Sequence, residues 1–501
     1  MMCNNSYLGF FLAGIAMALV HPGAVSAVPD IEIGERPAIG RPVDQDDIDD
    51  GRLQLPELFR LGQKLFDARF NILDGQGRPA STGTGAPRVP DQPAFVRTSS
   101  PEANACSGCH AQPASGGAGD FVANVFVLAQ ARDPVTFSVH PSESNERNTL
   151  GMFGSGAIEM LAREMSAELI AIREDAAAQA AGSGLATTHD LVAKGVSFGR
   201  ITVLPDGRVD PSEIEGVDWD LIVKPFHQKG AVVSLREFTN NAMNHHHGMQ
   251  SVERFGLDTD PDQDGVTDEL TVGDITATTV FQAALPAPTQ ILSNHPQRRG
   301  AAKRGGMVFT QIGCDGCHVE SLVLESRRFS EPNPFNPPGN LRPEDVPAPF
   351  EFDLVAVSRS KSVKALPGGR AWVRAFTDLK RHDLNDGDFD HFANEQLPQG
   401  TLAGFADPAD FTVPDQPRPT EEFLTRKLWD VGNSDPYGHR GDLTTLTEAI
   451  HFHGGEARAQ RDAFFTLPED DQNAVIEFLK SLVVAAPPDV HAAHARRSHP
   501  R

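Results

Sequence analysis

The longest apolar run of the chain lies at its N-terminus. Residues 8–20 are almost entirely hydrophobic, but the run is shorter than the roughly 17–25 residues that a membrane-spanning helix needs. Val25, Ser26 and Ala27 follow it, and small residues at this place are typical of a signal peptidase site. The pattern predicts a cleaved signal peptide over residues 1–27 and an exported, periplasmic chain without a membrane span. A buried N-terminal helix is the alternative, because residues 1–7 contain no Lys or Arg.

Helical periodicity is clearest in the second half of the chain. In residues 301–312, Gly305 and Phe309 are four residues apart and share one helical face. Residues 466–484 predict a partner helix, which carries the pattern of a capping box and an apolar face. The capping residues are Thr466 and Glu469, and the apolar face contains Val475, Leu479, Leu482 and Val483. We expect the two helices to pack together at Gly305 and Phe309.

The first half repeats part of this pattern. Gly62 and Phe66 have the same spacing as Gly305 and Phe309, but a long stretch rich in Gly and Pro follows them and predicts a loop. A further helix is predicted from Ser155 onward, with an apolar face of Ile158, Leu161, Met165, Leu169 and Ile172.

Composition narrows the class of protein. The chain has 501 residues and a formal net charge of −24, and a net-acidic surface repels phosphate, which excludes a nucleic-acid-binding protein that relies on bulk charge. A chain of this length builds a core without cross-links, so its 5 Cys do not indicate a disulfide scaffold.

Four of the cysteines form two C-x-x-C-H motifs. Cys106, Cys109 and His110 make the first motif, and Cys314, Cys317 and His318 make the second. In an exported chain this spacing is the attachment signal for c-type haem, because two thiols three residues apart add to the two vinyl groups of one porphyrin. The adjacent His then binds the iron. A thioredoxin-like pair or half of a zinc site is the alternative, but neither requires the His, and neither requires it twice.

These patterns together predict the domain organisation. We expect a mainly α protein with two cytochrome c-like haem domains, long loops and insertions. The predicted divisions are an enlarged N-terminal haem domain over residues 28–295, a C-terminal haem domain over residues 296–484 and a disordered tail over residues 485–501. The second motif starts 5 residues after Phe309, whereas the first starts 40 residues after Phe66.

Segments around both motifs resemble bacterial di-haem cytochrome c peroxidases, a superfamily that includes the enzyme that matures methylamine dehydrogenase. The most similar branch is that of the di-haem c-type oxidoreductases. The resemblance covers most of residues 55–484. It rests on residues 61–70, 137–140 and 147–149 in the first half, 243–249 near its end, and 436–441, 445–450 and 453–457 in the second half.

The resemblance implies an iron ligand set. His110 and His318 are the proximal ligands, and His140 matches the displaceable distal ligand of the first haem. At the second haem the distal position falls on His453, with His382 as the rival ligand. Because Met307 is the last methionine, a His/His or His/Tyr site is implied there, and this lowers the reduction potential relative to His/Met.

The resemblance also implies an activity. Members of the family reduce hydrogen peroxide with electrons from a small redox protein, a cytochrome c or a cupredoxin. The chain departs from the family at residues 154–164, which replace the usual segment before the acid residues. Glu159 or Glu164 is the candidate general acid, since burial raises the pKa of a carboxyl into the useful range, and a solvated helix face is the alternative. Oxidation of a partner protein and simple electron transfer are the other functions considered.

An acidic loop predicts a calcium site. Asp260, Asp262 and Asp264 are spaced two apart before Gly265, as in a calcium loop, but position 12 is Thr271. The closing carboxylate would come from Asp268 or Glu269. An acidic solvated turn is the alternative, and the loop is distinct from the calcium site known in the family.

The sequence leaves the roles of two further features undecided. His245, His246 and His247 occupy a helix-like stretch, where a haem contact, a core hydrogen bond and a solvated position are all compatible with the pattern. Trp429 adjoins the matched C-terminal segment, where the family's electron relay and core packing are the two alternatives.

Overall fold

The structure is a computed structural model that describes residues 35–76, 103–124, 146–262, 264–386 and 421–485. The predicted signal peptide, His140 and nearly all of the predicted tail lie outside these residues. No helix in the described ranges is long and apolar enough to cross a membrane.

The described residues form eleven α-helices, of which the longest has 29 residues. In chain order these are α1 (Gln45–Asp49), α2 (Leu55–Asp67), α3 (Ser155–Ser183), α4 (Leu235–Ala242), α5 (Val252–Phe255), α6 (Val272–Ala283), α7 (Pro296–Gln311), α8 (Leu354–Ser358), α9 (Leu446–His451), α10 (Arg458–Thr466) and α11 (Glu469–Lys480). A π-helical turn, Met243–His247, continues α4.

Short strands connect and cover these helices. They are β1 (Gly119–Asn124), β2 (Glu146–Thr149), β3 (Thr187–Ala193), β4 (Val196–Val203), β5 (Val209–Asp210), β6 (Thr289–Gln290), β7 (Leu322–Leu324), β8 (Arg328–Glu331), β9 (Phe350–Asp353), β10 (Val363–Ala365), β11 (Ala371–Val373), β12 (Arg381–Asp383), β13 (Glu422–Leu424) and β14 (Leu482–Val483).

The prediction of a mainly α fold is wrong. Among the described residues the strands pair into six small sheets: β1-β2, β3-β4-β5, β10-β11-β7, β8-β9, β12-β13 and β14-β6, with antiparallel neighbours. In β4, Val196, Phe198 and Val203 are buried among exposed and half-buried neighbours, a pattern typical of a strand with one face on a core. The described strands between residues 322 and 383 have three or four residues each, which is too short for an alternating pattern to be recognised in the sequence.

The first helix pair joins α2 to α6. A Cβ atom on Gly62 would lie 1.9 Å from the carbonyl oxygen of Ala277, so the backbones touch at a position that only glycine permits. Phe66 packs on Phe281 with ring centres 5.1 Å apart. The Gly62 and Phe66 spacing therefore marks a helix contact, although the sequence did not identify α6 as the partner.

The second helix pair joins α7 to α11 as predicted. A Cβ atom on Gly305 would lie 1.8 Å from the carbonyl oxygen of Ala474, and Phe309 packs on Phe478 at 5.5 Å. The predicted capping box at Thr466 and Glu469 is wrong. Thr466 ends α10, and α11 begins at Glu469 after Pro468, because the residue before a proline is held out of the helical region.

The long helix α3 begins at Ser155, as predicted, and buries Ile158, Leu161, Met165 and Leu169. The largest apolar cluster contains these residues together with the first helix pair, β4, and strands β7 to β11. A smaller cluster surrounds the second helix pair and includes Phe464. Residues of the second half between 322 and 373 thus pack on the core of the first half, and the division at residue 295 stays a prediction.

Candidate haem-binding site

Both C-x-x-C-H motifs fold into the same tight turn. Cys106–Gly108 and Cys314–Gly316 are single 3₁₀ turns. The amide of His110 donates to the carbonyl of Cys106 over 2.9 Å, and that of His318 donates to Cys314 over 3.1 Å. This turn brings the two thiols and the His of each motif close together. The four thiols are free rather than paired in disulfides, and burial raises the pKa of Cys106 and of Cys314 to about 12.

The two motif histidines have equivalent surroundings. The Nδ1 of His110 lies 3.2 Å from the carbonyl oxygen of Gly117, and that of His318 lies 3.1 Å from that of Phe376. A carbonyl bound to Nδ1 fixes the proton there and leaves Nε2 able to bind a metal. Burial lowers the pKa of each ring to about 4, so both are neutral, as an iron ligand must be.

One cavity contains both motifs. It has a volume of about 490 Å³, and Cys106, Cys109, His110, Cys314, Cys317 and His318 all line it. This volume is within the range of about 300–1,000 Å³ of cofactor sites in proteins. The two motifs, 208 positions apart between Cys106 and Cys314, therefore share a single interior space.

His453 lies opposite His318 in this cavity. The centres of the two rings are 6.4 Å apart, with 49° between their planes. A metal–imidazole nitrogen bond is about 2 Å long and the nitrogen is about 1.2 Å from the ring centre, so two imidazoles on one metal have centres about 6.4 Å apart. The Nδ1 of His453 lies 2.7 Å from the carbonyl oxygen of Ala449, and burial lowers its pKa. The pair has the spacing and the protonation state that one iron between them requires.

The rival ligand His382 is engaged at both ring nitrogens. Its Nε2 lies 2.8 Å from Asp378 and its Nδ1 lies 2.8 Å from Glu456. Burial alone would lower the pKa of His382, but the hydrogen bonds to Asp378, Cys317 and Glu456 raise it to about 11. An imidazolium held by two carboxylates has no lone pair for a metal, so the geometry favours His453 over His382.

Part of the histidine run lines the cavity beside the first motif. His246 and His247 both line it, and the nearby His246 lowers the pKa of His110 after the larger effect of burial. Both ring nitrogens of His247 have partners, because Nδ1 lies 2.6 Å from the carbonyl oxygen of Ala103 and Nε2 lies 3.2 Å from the Cys106 sulfur. The sequence alone left the role of this run undecided; the run forms a π-helical turn, a feature common at functional sites.

Cationic side chains form part of the cavity wall. Arg147, Arg426, Lys427 and Arg461 line the cavity, and cations suit the carboxylate groups of haem. His439 also lines it; its Nε2 is buried and has no hydrogen-bond partner within the described residues. Burial and the nearby Arg147, Lys229 and Arg440 hold its pKa well below the usual range. His439 belongs to the matched segment 436–441, but the sequence alone gave it no role.

The two candidate acids do not line the cavity. Glu159 is fully buried and accepts hydrogen bonds from the Leu235 amide over 2.8 Å and from Asn333 over 2.9 Å. Burial, and then the nearby Glu331, raise its pKa to about 8. Leu235 does line the cavity, so Glu159 lies one layer behind the wall. Glu164 instead pairs with Lys194 at 2.6 Å and ties α3 to the loop after β7.

The acidic loop brings three of its carboxylates together. Oxygen atoms of Asp260, Asp262 and Asp264 lie within 4.8 Å of one another. Asp260 accepts the amides of Asp264 and Gly265 over 3.1 and 3.0 Å, which shapes the loop. Asp268 accepts the amide of Asp258 over 2.9 Å and is not part of the cluster.

Trp429 belongs to the core. It is 1% exposed, and a Cβ atom on Gly154 would lie 2.3 Å from its ring. Its neighbour Lys427 reaches the cavity, where Nζ donates to the carbonyl of Gly151 over 2.8 Å and lies 3.1 Å from Asp430. Burial lowers the pKa of Lys427 to about 8.

The chain is similar at low identity to solved structures. The chain is similar to the hydrazine synthase of Kuenenia stuttgartiensis at 14% identity, with 92% of this chain and 100% of that chain covered and a TM-score of 0.35. It is similar to a MauG-like protein associated with microbial copper homeostasis at 15% identity, with 57% and 77% covered and a TM-score of 0.24. No curated protein matches the chain.

A family model matches the C-terminal part of the chain. Residues 403–482 match the family described as "Di-haem oxidoreductase, putative peroxidase". The matched range contains Trp429, His439 and His453 and neither of the two C-x-x-C-H motifs. The match therefore confirms the resemblance to the di-haem peroxidase superfamily and supports a di-haem redox enzyme as the general class of this protein.

Proposed function

We propose that this chain is an exported di-haem c-type cytochrome that reduces hydrogen peroxide with electrons from a small redox protein. The observation that carries the proposal is the single cavity in which both C-x-x-C-H motifs meet, with His318 and His453 spaced for one iron. Cys106 and Cys109 would hold one haem covalently, and Cys314 and Cys317 the other.

The histidines set different roles for the two sites. His318 and His453 close the second site on both sides, which suits a haem that stores and relays an electron. His110 would hold the first haem, and the second ligand there would be either His140, as the resemblance implies, or His246, which lines the cavity. When bound, the two haems supply the electrons for the two-electron reduction of peroxide to water.

The protein supplies the protons and the environment. Reduction of peroxide consumes two protons, and we assign their delivery to Glu159, which lies one layer behind the cavity wall and would regain from solvent each proton that it gives. Its raised pKa keeps it protonated at neutral pH, and the Leu235 amide fixes its position behind the wall. Arg147, Arg426, Lys427 and Arg461 would hold the carboxylates of a bound haem, and the apolar lining would exclude water. Glu164, in its ion pair with Lys194, is assigned a structural role.

Turnover of peroxide tests the proposal. The purified exported protein should contain two c-type haems by pyridine haemochrome assay and begin at residue 28 by N-terminal sequencing. With a reduced cytochrome c or cupredoxin, it should consume one peroxide per two electrons. The acidic net charge of −24 favours a basic donor, so the rate should fall as salt is added. Haem content other than two, or a donor that stays reduced, contradicts it.

Simple electron transfer is the second candidate function. The closed His318 and His453 site favours it, because a haem with two protein ligands exchanges electrons without binding a substrate. It predicts electron exchange with the donor and no consumption of peroxide. Oxidation of a partner protein predicts that peroxide is consumed only when that partner is present.

We also propose that the acidic loop binds calcium through Asp260, Asp262 and Asp264, supported by their convergence within 4.8 Å. The Asp262→Asn variant should lose calcium-dependent thermal stabilisation, measured by Tm with and without a chelator. The Asp258→Asn variant is the matched control, since Asp258 is outside the cluster. Equal calcium responses in both variants would contradict a calcium site here.

A further inference from the structure

One segment, residues 376–386, contacts the second haem site from both sides. At its start, the carbonyl oxygen of Phe376 accepts a hydrogen bond from His318 Nδ1 over 3.1 Å. In its middle, His382 and Asp383 hold Glu456, through His382 Nδ1 at 2.8 Å and the Asp383 amide at 2.9 Å. Glu456 is three residues after His453, so the segment links the proximal histidine to the turn that carries the opposite one.

Asp386, at the end of this segment, makes the densest set of contacts to that turn. Its carboxylate accepts hydrogen bonds from the Gly455 amide over 2.7 Å, from Arg458 Nε over 2.9 Å and from Arg461 Nη1 over 2.5 Å. Its side chain is 9% exposed. The bond to Arg461, followed by those to Gly455 and Arg458, holds the pKa of Asp386 at about 2, so the carboxylate stays charged.

The backbone of the turn is shaped to admit this carboxylate. A Cβ atom on Gly454 would lie 2.7 Å from the Asp386 carboxyl, and one on Gly455 would lie 2.3 Å from the Asp383 carbonyl. Gly455 has φ of +49°, which disfavours a side chain there. The two glycines directly follow His453, so the close approach occurs next to the ring that faces His318.

We propose that Asp386 is a positioning residue that holds the turn of residues 453–461 and thereby keeps His453 at the second haem, closed to external ligands. The proposal rests on the assignment of His318 and His453 under the proposed function. Asp386 does not itself line the cavity, although its partner Arg461 does. It acts through Gly455, Arg458 and Arg461, which restrain both ends of the turn.

The chain offers a matched control for the test. Asp462 also bonds Arg461, through Nε at 2.9 Å, but its side chain is 61% exposed. Asp462→Ala removes a carboxylate from the same arginine and leaves the bonds to Gly455 and Arg458 in place. Asp386→Asn keeps an oxygen acceptor for Gly455 but loses the charge, so it separates the local hydrogen bond from the ion pairs.

The experiment compares the ferric di-haem proteins by electron paramagnetic resonance and by cyanide binding. Loss of charge-assisted hydrogen bonds should raise cyanide binding at the second haem roughly tenfold to a hundredfold in Asp386→Ala. Asp386→Asn should be intermediate and Asp462→Ala should match the wild type. High-spin signal should appear in the same order. Haem content and circular dichroism show whether each variant is folded. If Asp386→Ala loses its second haem, the comparison of Asp386→Asn with the wild type decides the test.

The variant His453→Ala distinguishes a failure of this positioning role from a failure of the ligand assignment on which it rests. If His453→Ala opens the second haem to cyanide and both Asp386 variants behave like the wild type, the positioning role is wrong and the ligand assignment stands. If His453→Ala leaves the second haem low-spin, His453 is not the ligand, and the failure lies in the proposed function.

Discussion

The two motif regions are alike on one side and different on the other. On the proximal side each has a glycine-bearing helix, a phenylalanine ring 6.1 Å from the motif histidine, and a backbone carbonyl on Nδ1. On the opposite side, the second region has His453 at 6.4 Å and a clamp of charged contacts. In the first region, His246 lines the cavity. The immediate surroundings of the two motif histidines are thus alike, whereas the other histidines that line the cavity are placed differently.

The largest expected effect tests whether the two proximal units are equivalent. The double variant Cys314→Ala/Cys317→Ala should lose covalent haem at the second site only, because each thiol pair serves one porphyrin. Cys106→Ala/Cys109→Ala should do the same at the first. Pyridine haemochrome assay should give one haem for each, and only the first-site variant should keep the low-spin His/His signal. A second haem retained in either variant would show that attachment occurs elsewhere.

The next prediction tests the difference on the opposite side. His453→Ala should bind cyanide at the second haem at least about tenfold more tightly than the wild type, a change of about 1.4 kcal/mol. His246→Ala should have no effect at the second haem. If His246 is the second ligand of the first haem, His246→Ala should open that site to cyanide. A cyanide titration monitored by the ferric absorption spectrum measures this. No response of the first haem to His246→Ala would transfer that role to His140.

A third prediction compares the two helix contacts. Gly62→Ala and Gly305→Ala each place a methyl group against a backbone carbonyl, at 1.9 and 1.8 Å, and overpacking costs about 1–3 kcal/mol. Gly62 lies on α2, whose Leu65 and Phe66 belong to the large core cluster, so its variant should lower Tm for the whole chain. Gly305 lies over the smaller cluster, so its variant should mainly disturb the second haem spectrum. Equal effects on both haems would show a single cooperative unit.

The smallest expected effect concerns the buried acid near the first region. The folded-state pKa of Glu159 is about 8 and its ordinary value is 4.5. Between pH 4.5 and about 8, the folded protein therefore holds a proton on Glu159 that the unfolded chain has lost. The stability it contributes is present at low pH and decreases as pH rises toward about 8. Glu159→Gln should flatten this dependence in urea unfolding and reduce peroxide turnover.

Glu164→Gln is the control for Glu159→Gln. It removes the ion pair with Lys194 at a position away from the cavity, so it should leave both turnover and its pH profile unchanged. A loss of turnover in Glu164→Gln equal to that in Glu159→Gln would contradict the acid role of Glu159.

Local sequence patterns predicted helices and the glycine at which one of them meets its partner. The Gly305 and Phe309 spacing predicted the second helix contact, and Ser155 was correctly predicted as the start of α3. The predicted capping box at Thr466 is wrong because Pro468 interrupts it. The strands were not predicted, because most of those described have two to four residues and several depend on pairing with a segment far along the chain, such as β14 with β6.

The amino-acid sequence alone determined the chemistry of the proximal side, because two thiols and a histidine within five consecutive residues need only one turn to converge. It also carried the resemblance to the di-haem peroxidase superfamily, which the match over residues 403–482 supports. The tertiary structure decided which histidines reach the cavity and what they contact: the ring of His453 lies 6.4 Å from that of His318, His382 is held by Asp378, and His246 lines the cavity. Those residues come from segments far apart in the chain, and only packing brings them to one cavity.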